Sequence, residues 1–315
     1  MADSSIIEIS IAIPELLMNK CPINEEEAEG ELSDIFHDIR QTFRISGVNL
    51  NFRKWATYHK FFPVLWDAIR PIAETRLFED SSDHIRALAA QLADRLPRLK
   101  ITPSVFLEES QNFQIQAALQ LYHYINPKLL VITSVVEYAC HHPTLSTFQP
   151  HQQDHELIPR GVPQGMYPME MTDDPPEDPA LRKTFRDIQR TLGLTDINSD
   201  YRTLALWPEY LVAAWHRLKP IVKHPQYMEA IMVLREAAQH LASDLLPRLA
   251  LSDDQLDLLG KSRNDFLETT THFTHLLPPL ILNILLMSLD WRSSQELAVS
   301  PFPAEFPPPV IGPSS

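Results

Sequence analysis

The chain has 315 residues, a formal net charge of −14, 27 prolines and only seven glycines. Such an acidic composition excludes broad affinity for nucleic acid, because binding to phosphates requires clustered lysine and arginine. Scarce glycine leaves few positions for left-handed backbone and tight hairpins, so the composition also argues against an all-β fold.

The N-terminal 20 residues are not predicted to be a secretory signal, because Asp3 and Glu8 precede the short apolar stretch and no basic leader is present. The most apolar run, residues 276–287, is about a dozen residues long and contains two prolines. A bilayer helix needs roughly 20 apolar residues. Only two cysteines occur, Cys21 and Cys140, without metal-ligand spacing. We therefore expect a cytoplasmic protein that does not enter a membrane.

Helical periodicity dominates both halves of the chain. In residues 85–96 apolar side chains recur every three or four residues, with charges opposite, and residues 103–106 are predicted to open a longer helix. The second half repeats this with a helix over residues 228–246 and a longer helix opened by residues 252–255. No convincing alternating strand pattern occurs, so the sequence predicts an all-α fold of packed helical bundles.

A linker is predicted between the halves. Residues 143–178 hold many Pro, His, Gln, Asp and Glu residues and lack a sustained apolar period. The linker ends at Asp178-Pro179, which have the residue types of a helix N-cap and first helical position. The proline-rich tail is expected to be an extended or disordered arm. The resulting division is an N-terminal repeat 1–142, a linker 143–178, a C-terminal repeat 179–299 and a tail 300–315.

Four histidines in or beside this linker raise the question of a metal site. His141 and His142 are adjacent, which rarely suits a single ion, and His151 and His155 lie in the proline- and glutamine-rich stretch. We interpret them as solvated loop histidines and expect no metal.

An internal repeat relates the two halves. Residues 48–72 and 197–221 align without a gap and share Asn, Arg, Trp and Pro-Ile positions, with aromatic exchanges between them. Further on, residues 96–99 match 246–249 and residues 126–129 match 277–280. Anchors recurring in one order predict a duplicated unit of roughly 100 residues. The expected architecture is two tandem pseudo-symmetric helical repeats that form an intramolecular pseudo-dimer. The paired residues Arg53 and Arg202, and Trp66 and Trp215, are interpreted as structural.

The sharpest chemical difference between the repeats is Leu50-Asn51 against Ser199-Asp200. The first repeat has an amide that does not ionise, and the second has a carboxylate beside a hydroxyl. Two interpretations stay open: Ser199-Asp200 caps the helix that begins near Tyr201, or the pair performs chemistry in a cleft between the repeats.

Several segments resemble the group I 2-haloacid dehalogenases over about residues 40–290. The resemblance rests on residues 48–53, 75–79, 126–130 and 198–202. It implies an all-helical, internally duplicated, cofactor-free homodimer. It also implies hydrolysis of short 2-haloalkanoic acids to 2-hydroxy acids with inversion, by direct attack of an Asp-activated water without a covalent intermediate.

The resemblance assigns the water-activating base to Asp200 and matches two further catalytic residues to Thr75 and Glu79, whose i, i+4 spacing would place them on one helix face. The chemistry of a haloacid suggests substrate-binding residues as well. Ser199 and free helix amides would bind the carboxylate, and the rings of Phe52 and Tyr201 would line a halide pocket. The remaining substrate-binding candidates are Asn51, Asn126 and Asn198.

Asn198 receives a separate hypothesis. The resemblance implies that an Asn two residues before the catalytic Asp favours the D enantiomer. The matching Asn49 in the first repeat argues instead for a structural role. A second class of function also stays open: a diverged helical-repeat protein that binds a small organic acid or a protein partner. The presence of Ser199, Asp200, Thr75 and Glu79 together favours the enzyme.

Overall fold

The computed structural model of the chain describes residues 21–143, 156–194, 196–245, 249 and 251–304. Within them the only extended pairing is an isolated bridge between Thr75 and Leu157, so the predicted all-α class is confirmed. The helices are α1 (Glu31–Phe43), α2 (Leu50–Trp55), α3 (Phe62–Ala73), α4 (Arg76–Ala93), α5 (Glu109–His141), α6 (Pro179–Leu192), α7 (Ser199–Leu204), α8 (Pro208–Ile221), α9 (Pro225–Leu245), α10 (Asp253–Leu256), α11 (Arg263–Ser288) and α12 (Ser294–Leu297). Short 3₁₀ helices occupy Glu25–Glu27, Thr102–Ser104 and Asp257–Ser262.

Several predicted features lie outside the described residues. They are the N-terminal segment 1–20, the linker histidines His151 and His155, residues 246–248 of one repeat anchor, and residues 305–315 of the tail. The division into repeats, linker and tail stays a prediction, although α5 ends at His141 and α6 begins at Pro179.

Local sequence explains where α6 begins and where α6 and α1 end. The Asp178 side chain accepts a hydrogen bond from the Leu181 amide at 2.8 Å, which confirms the predicted N-cap. At the other end Gly193 adopts φ 68°, the left-handed conformation that closes many helices. Arg44 performs the same turn after α1 with φ 59°, a strained conformation for a residue with a Cβ.

The two longer helices begin later than predicted. Residues 102–104 form only a 3₁₀ turn, and α5 starts at Glu109, where Glu108 and Gln111 form a capping box. Ser252 does cap a helix, but that helix is the four-residue α10, and α11 begins at Arg263. Gly260, with φ 51° and ψ −127°, separates the two segments, because this backbone conformation cannot continue a helix.

The core lies around α5 and α11, which pack against one another. Every residue of α5 from Leu121 to Val136 is buried, which is why this segment has no polar face in the sequence. The apolar run 276–287 likewise belongs to the buried part of α11. Among the described residues no helix combines the length and apolar character needed to cross a membrane.

Equivalent tryptophans make the same contact in each half. Trp66 Nε1 donates to the Asp38 carboxylate at 2.9 Å, and Trp215 Nε1 donates to the Asp187 carboxylate at 2.8 Å. Both indoles are buried. These contacts agree with the structural interpretation of the two residues.

The paired arginines also correspond. Arg53 Nε donates to the Ile23 carbonyl at 2.9 Å, and Arg202 Nε donates to the Thr172 carbonyl at 2.8 Å. Each arginine therefore holds the segment that precedes the first helix of its half, α1 or α6. The helices of the two halves follow one another in the same order, but their relation by a pseudo-two-fold axis stays a prediction.

Candidate active site

Asp200 is a buried carboxylate on a very short helix. It is the second residue of α7, with Asn198 at the N-cap, and its exposed fraction is 4%. The Asn126 side chain on α5 donates from Nδ2 to Asp200 Oδ1 at 2.7 Å. Because the N-cap is Asn198, the capping interpretation of Ser199-Asp200 does not account for the carboxylate. The contact with Asn126 is a tertiary one, between α5 and α7.

The environment of Asp200 makes it a stronger base than an ordinary aspartate. Burial raises its pKa to about 6, while the hydrogen bonds from Asn126 and from its own backbone amide oppose the rise. Asp200 is thus mostly ionised at neutral pH, yet its proton affinity is close to that suited to a general base working there.

A second hydrogen bond joins α5 to α7 one helical turn from the first. The Tyr122 hydroxyl lies 2.7 Å from Thr203 Oγ1. Since Thr203 Oγ1 donates its own hydrogen to the Glu170 carbonyl at 2.7 Å, Tyr122 must be the donor. Burial and then the charge of Asp200 raise the pKa of Tyr122. Sequence reasoning missed Tyr122 and Thr203, although Tyr122 precedes Asn126 by four residues and so shares its helix face.

Helix α2 carries the counterpart of Asp200 close to α7. Lys54 Nζ lies 3.9 Å from the Asp196 carboxylate just before α7. Burial, followed by the charge of Arg202, lowers the pKa of Arg53. Asn51 precedes Lys54 by three residues and therefore lies on the same side of α2.

Buried amide groups without partners are concentrated at these two helix starts. Asn51 is 2% exposed, and neither its Nδ2 nor its Oδ1 has a hydrogen-bond partner among the described residues. The same holds for Oδ1 of Asn49 and of Asn198. Native proteins leave few buried polar atoms unpaired, so such a group of them indicates a place that water or a ligand occupies. Ser199, at the first position of α7, is half-buried.

The two predicted halide-pocket rings lie in aromatic core clusters. Phe52 packs edge-on against Trp66 at 6.3 Å between centroids, and Tyr201 does so against Trp215 at 6.5 Å. The Tyr201 hydroxyl accepts a hydrogen bond from Asn283 Nδ2 at 2.8 Å. A place for both residues beside a halide stays a prediction, and their contacts are those of core residues.

Thr75 and Glu79 are buried, but their contacts involve α3, α4, α5 and the end of α1. Thr75 is the N-cap of α4, where its hydroxyl accepts from the Phe78 amide and donates to the Ile72 carbonyl. It therefore precedes the helix rather than sharing a face with Glu79. The Glu79 carboxylate lies 2.7 Å from Lys128 Nζ and 4.0 Å from Arg44 Nη1. In the described part of the chain no hydrogen bond or ion pair connects these groups to Asp200, and their catalytic role stays a prediction.

No group of three or more His, Cys, Asp or Glu side chains in the described ranges is placed to hold a metal ion. The candidate site consists of the buried Asp200 carboxylate, the Asn126 amide that donates to it, and the unpaired buried amides of Asn51 and Asn198. Such a group of side chains, in an all-helical chain, has the buried carboxylate that general base catalysis requires.

Known proteins are similar to this chain in sequence and in fold. The family described as "Halocarboxylic acid dehydrogenase DehI" matches residues 47–201. An (R)-2-haloacid dehalogenase of Pseudomonas putida is 30% identical over 273 residues, which cover 84% of this chain and 90% of the relative. A configuration-inverting 2-haloacid dehalogenase of Pseudomonas sp. (strain 113) is 29% identical over 231 residues, 71% of this chain and 75% of the relative.

A solved structure agrees with these relatives. The complex of a D-2-haloacid dehalogenase with L-LA superimposes with a TM-score of 0.76 at 28% identity and covers 86% of this chain and 95% of that chain. The chain therefore belongs to the 2-haloacid dehalogenase family that matches it, which confirms the resemblance found in the sequence.

Proposed function

We propose that this chain hydrolyses short 2-haloalkanoic acids to 2-hydroxy acids, with inversion, by direct attack of a water molecule that Asp200 activates. The relatives support the coarser part of this proposal, a hydrolase acting on carbon–halide bonds of 2-haloacids with inverted configuration. The observation that carries the finer part is the buried Asp200 carboxylate, held by Asn126 at 2.7 Å and with its pKa raised to about 6.

The proposed step is a single displacement. Asn126 occupies Asp200 Oδ1, which leaves Oδ2 to take a proton from water. The water oxygen forms a bond to C2 of the acid as the carbon–halide bond breaks, and the halide leaves with the bonding electrons. The products are the 2-hydroxy acid, a halide ion and the proton on Asp200. Attack opposite the leaving group inverts C2.

A covalent route would use the same carboxylate differently. If Asp200 attacked C2 itself, an ester would form with one inversion at C2. Displacement of that ester by water at C2 would invert the carbon a second time and retain the configuration overall. Hydrolysis of the ester at its acyl carbon would instead leave the single inversion. Stereochemistry alone does not separate direct attack from this last route. The hydrogen bond from Asn126 leaves Oδ2 of Asp200 available for either role, so the route followed by the water oxygen separates the two.

The substrate carboxylate is assigned to Asn51 and Ser199. The unpaired Nδ2 of Asn51 is a buried donor that an acid anion would satisfy, and the half-buried Ser199 hydroxyl is the neighbour of the base in sequence. Both donors are neutral, so they orient the anion without a cation that would lower the proton affinity of Asp200.

The preferred enantiomer is proposed to be D. Asn198 is the N-cap of α7, makes no side-chain cap hydrogen bond, and has its buried Oδ1 unpaired. Its side chain is therefore available to restrict one side of the reacting carbon. Relatives described as (R)-2-haloacid dehalogenases support the same preference.

Halide release tests the proposal. Purified wild-type protein and Asp200→Asn are given D- and L-2-chloropropionate without added metal, and chloride is measured. We expect release by the wild type, faster from the D enantiomer, and a loss of at least roughly a thousandfold in Asp200→Asn, in line with removal of a general base. If the wild type releases no halide from either enantiomer or from monochloroacetate, the proposal is wrong and the chain is a diverged binder of small acids.

A further inference from the structure

The residue that follows Asn126 in helix α5 is a proline. Pro127 lies in the buried interior of the helix. A proline has no backbone N–H, so the His123 carbonyl loses its helical partner. The proline ring also crowds that carbonyl and favours a bend in the helix. A buried carbonyl without a donor is costly, and some other group must supply one.

The donor is a guanidinium from the neighbouring helix. Arg86 on α4 is fully buried. Its Nε donates to the His123 carbonyl at 3.3 Å, and its Nη2 donates to the Tyr124 carbonyl at 3.0 Å. The remaining Nη1 pairs with Asp83, one turn earlier on α4. One planar side chain thus bonds two successive carbonyls in the turn before Pro127, a geometry that a lysine cannot reproduce.

A proline in a core helix does not by itself require a buried arginine. Helix α11 contains Pro278 and Pro279 in its interior. Among the described residues no side chain donates to the corresponding carbonyls of α11, those of Thr274 and His275. Within the described residues, the guanidinium at α5 therefore has no counterpart at the prolines of α11.

We propose that Arg86 is a positioning residue, whose guanidinium fixes the bend of α5 at Pro127 and so aims the Asn126 amide at Asp200. The inference rests on the proposed function. Asn126 directly precedes Pro127, and its backbone is confined by the ring that follows. The backbone geometry of α5 at Pro127 therefore decides where the Asn126 side chain points. Catalytic geometry is sensitive to displacements of about 1 Å, which can lower a rate roughly a hundredfold.

The test is a double-mutant cycle between Arg86 and Pro127. Arg86→Met removes the donors, and Pro127→Ala returns an N–H to the helix. We expect Arg86→Met to lower kcat by roughly ten- to a hundredfold with KM changed less than about threefold. The same substitution in the Pro127→Ala protein should cost much less, because the His123 carbonyl then has a helical donor. Asp83→Asn is the matched control, since it removes the ion pair and leaves the carbonyl contacts, and its kcat should stay within about twofold of wild type.

Several outcomes would overturn the inference. If the wild type releases halide and Arg86→Met is destabilised but keeps its kcat below its unfolding temperature, Arg86 serves stability alone. Equal losses of kcat on adding Arg86→Met to the wild type and to the Pro127→Ala protein would also contradict it. A wild type without halide release contradicts the proposed function instead. In that case the free energies of unfolding of the wild type, the two single variants and the double variant are compared. If the effects of Arg86→Met and Pro127→Ala on the free energy of unfolding are additive, the two residues are not coupled.

Discussion

The Asp200 side chain has been made a better base at a cost in stability. Its carboxylate is buried and accepts one hydrogen bond from Asn126. Burial raises the pKa of Asp200 by more than that hydrogen bond lowers it. A base of this kind abstracts a proton from water more readily than a solvated aspartate would. The same desolvation disfavours the ionised form in the folded protein, so activity and stability respond to Asp200 in opposite directions.

The rate should depend on the ionisation of Asp200. Because only the carboxylate accepts a proton from water, kcat/KM should be constant above about pH 7 and fall roughly tenfold per pH unit below the pKa of about 6. A bound substrate carboxylate adds a negative charge, so the acid limb of kcat should lie at higher pH than that of kcat/KM. Initial rates from about pH 4.5 to 9 measure both. A profile that stays flat to about pH 4.5 would contradict the assignment of the base.

Removing the charge should stabilise the protein at alkaline pH. The folded-state pKa of Asp200 is raised from 3.8 to about 6, so its favourable contribution is present below pH 3.8 and is lost as the pH rises through 6. At 1.36 kcal/mol per pKa unit the loss is about 3 kcal/mol. Asp200→Asn should therefore be more stable than wild type at about pH 8, by up to about this amount, and should lose the advantage towards about pH 4. Urea unfolding at the two pH values decides it, and a variant less stable at the higher pH would contradict the account.

Replacing Asn51 should weaken substrate binding without destabilising the fold. Replacing its unpaired buried amide with the similar-sized Leu should leave the free energy of unfolding unchanged or higher. Loss of a donor to the substrate anion should raise KM roughly ten- to a hundredfold. Thr42→Val is the matched control, since it removes another buried unpaired group, on α1, and KM should not change. A destabilised Asn51→Leu with normal KM would assign Asn51 to the fold.

At the scale of elements, α5 links two sets of polar residues. Tyr122 and Asn126 face α7. Tyr124 and Lys128 face α1 and α4, because residues two apart on a helix point to nearly opposite sides, whereas residues four apart point to the same side. The Lys128 ammonium is fully buried and pairs with Glu79. The buried pair connects α4 to α5 on the side away from the base.

Breaking that pair should destabilise the protein. Glu79→Gln leaves the Lys128 ammonium buried without its counter-ion, which should lower the free energy of unfolding by about 3 kcal/mol. Adding Lys128→Met should recover a large part of the loss, because both charges are then absent. Urea unfolding of the single and double variants measures this. Loss of kcat in Glu79→Gln at unchanged stability would instead give Glu79 a role in the chemistry.

The sequence predicts the elements better than their contacts. Periodicity and the Asp178 cap are local signals, so the all-α class and the start of α6 could be read directly. The start of α5 could not, because residues 102–104 resemble a helix start but form a 3₁₀ turn. The pairing of Asn126 with Asp200 joins residues far apart in sequence. Its only local sign is that the aligned anchor carries Leu277 in place of Asn126.

At the scale of the whole molecule, both halves contribute to the site. Asn126 of the first half donates to Asp200 of the second half, and Asn51, which is proposed to bind the substrate, also belongs to the first half. Positions that match between the halves, such as Trp66 and Trp215, make equivalent structural contacts. Positions that differ carry the proposed chemistry. The expected homodimer and cytoplasmic location remain predictions, the first of which light scattering of the purified protein would test.

The most direct test of the central claim follows the oxygen atom in a single turnover. Protein in excess over D-2-chloropropionate is mixed in water enriched in ¹⁸O, and the 2-hydroxy acid and the peptide containing Asp200 are analysed by mass. Direct attack predicts ¹⁸O in the hydroxyl group of the first product formed and an unlabelled Asp200, even after many turnovers. Unlabelled product together with ¹⁸O in Asp200 after that turnover would show that the carboxylate itself attacks the carbon and would contradict the account.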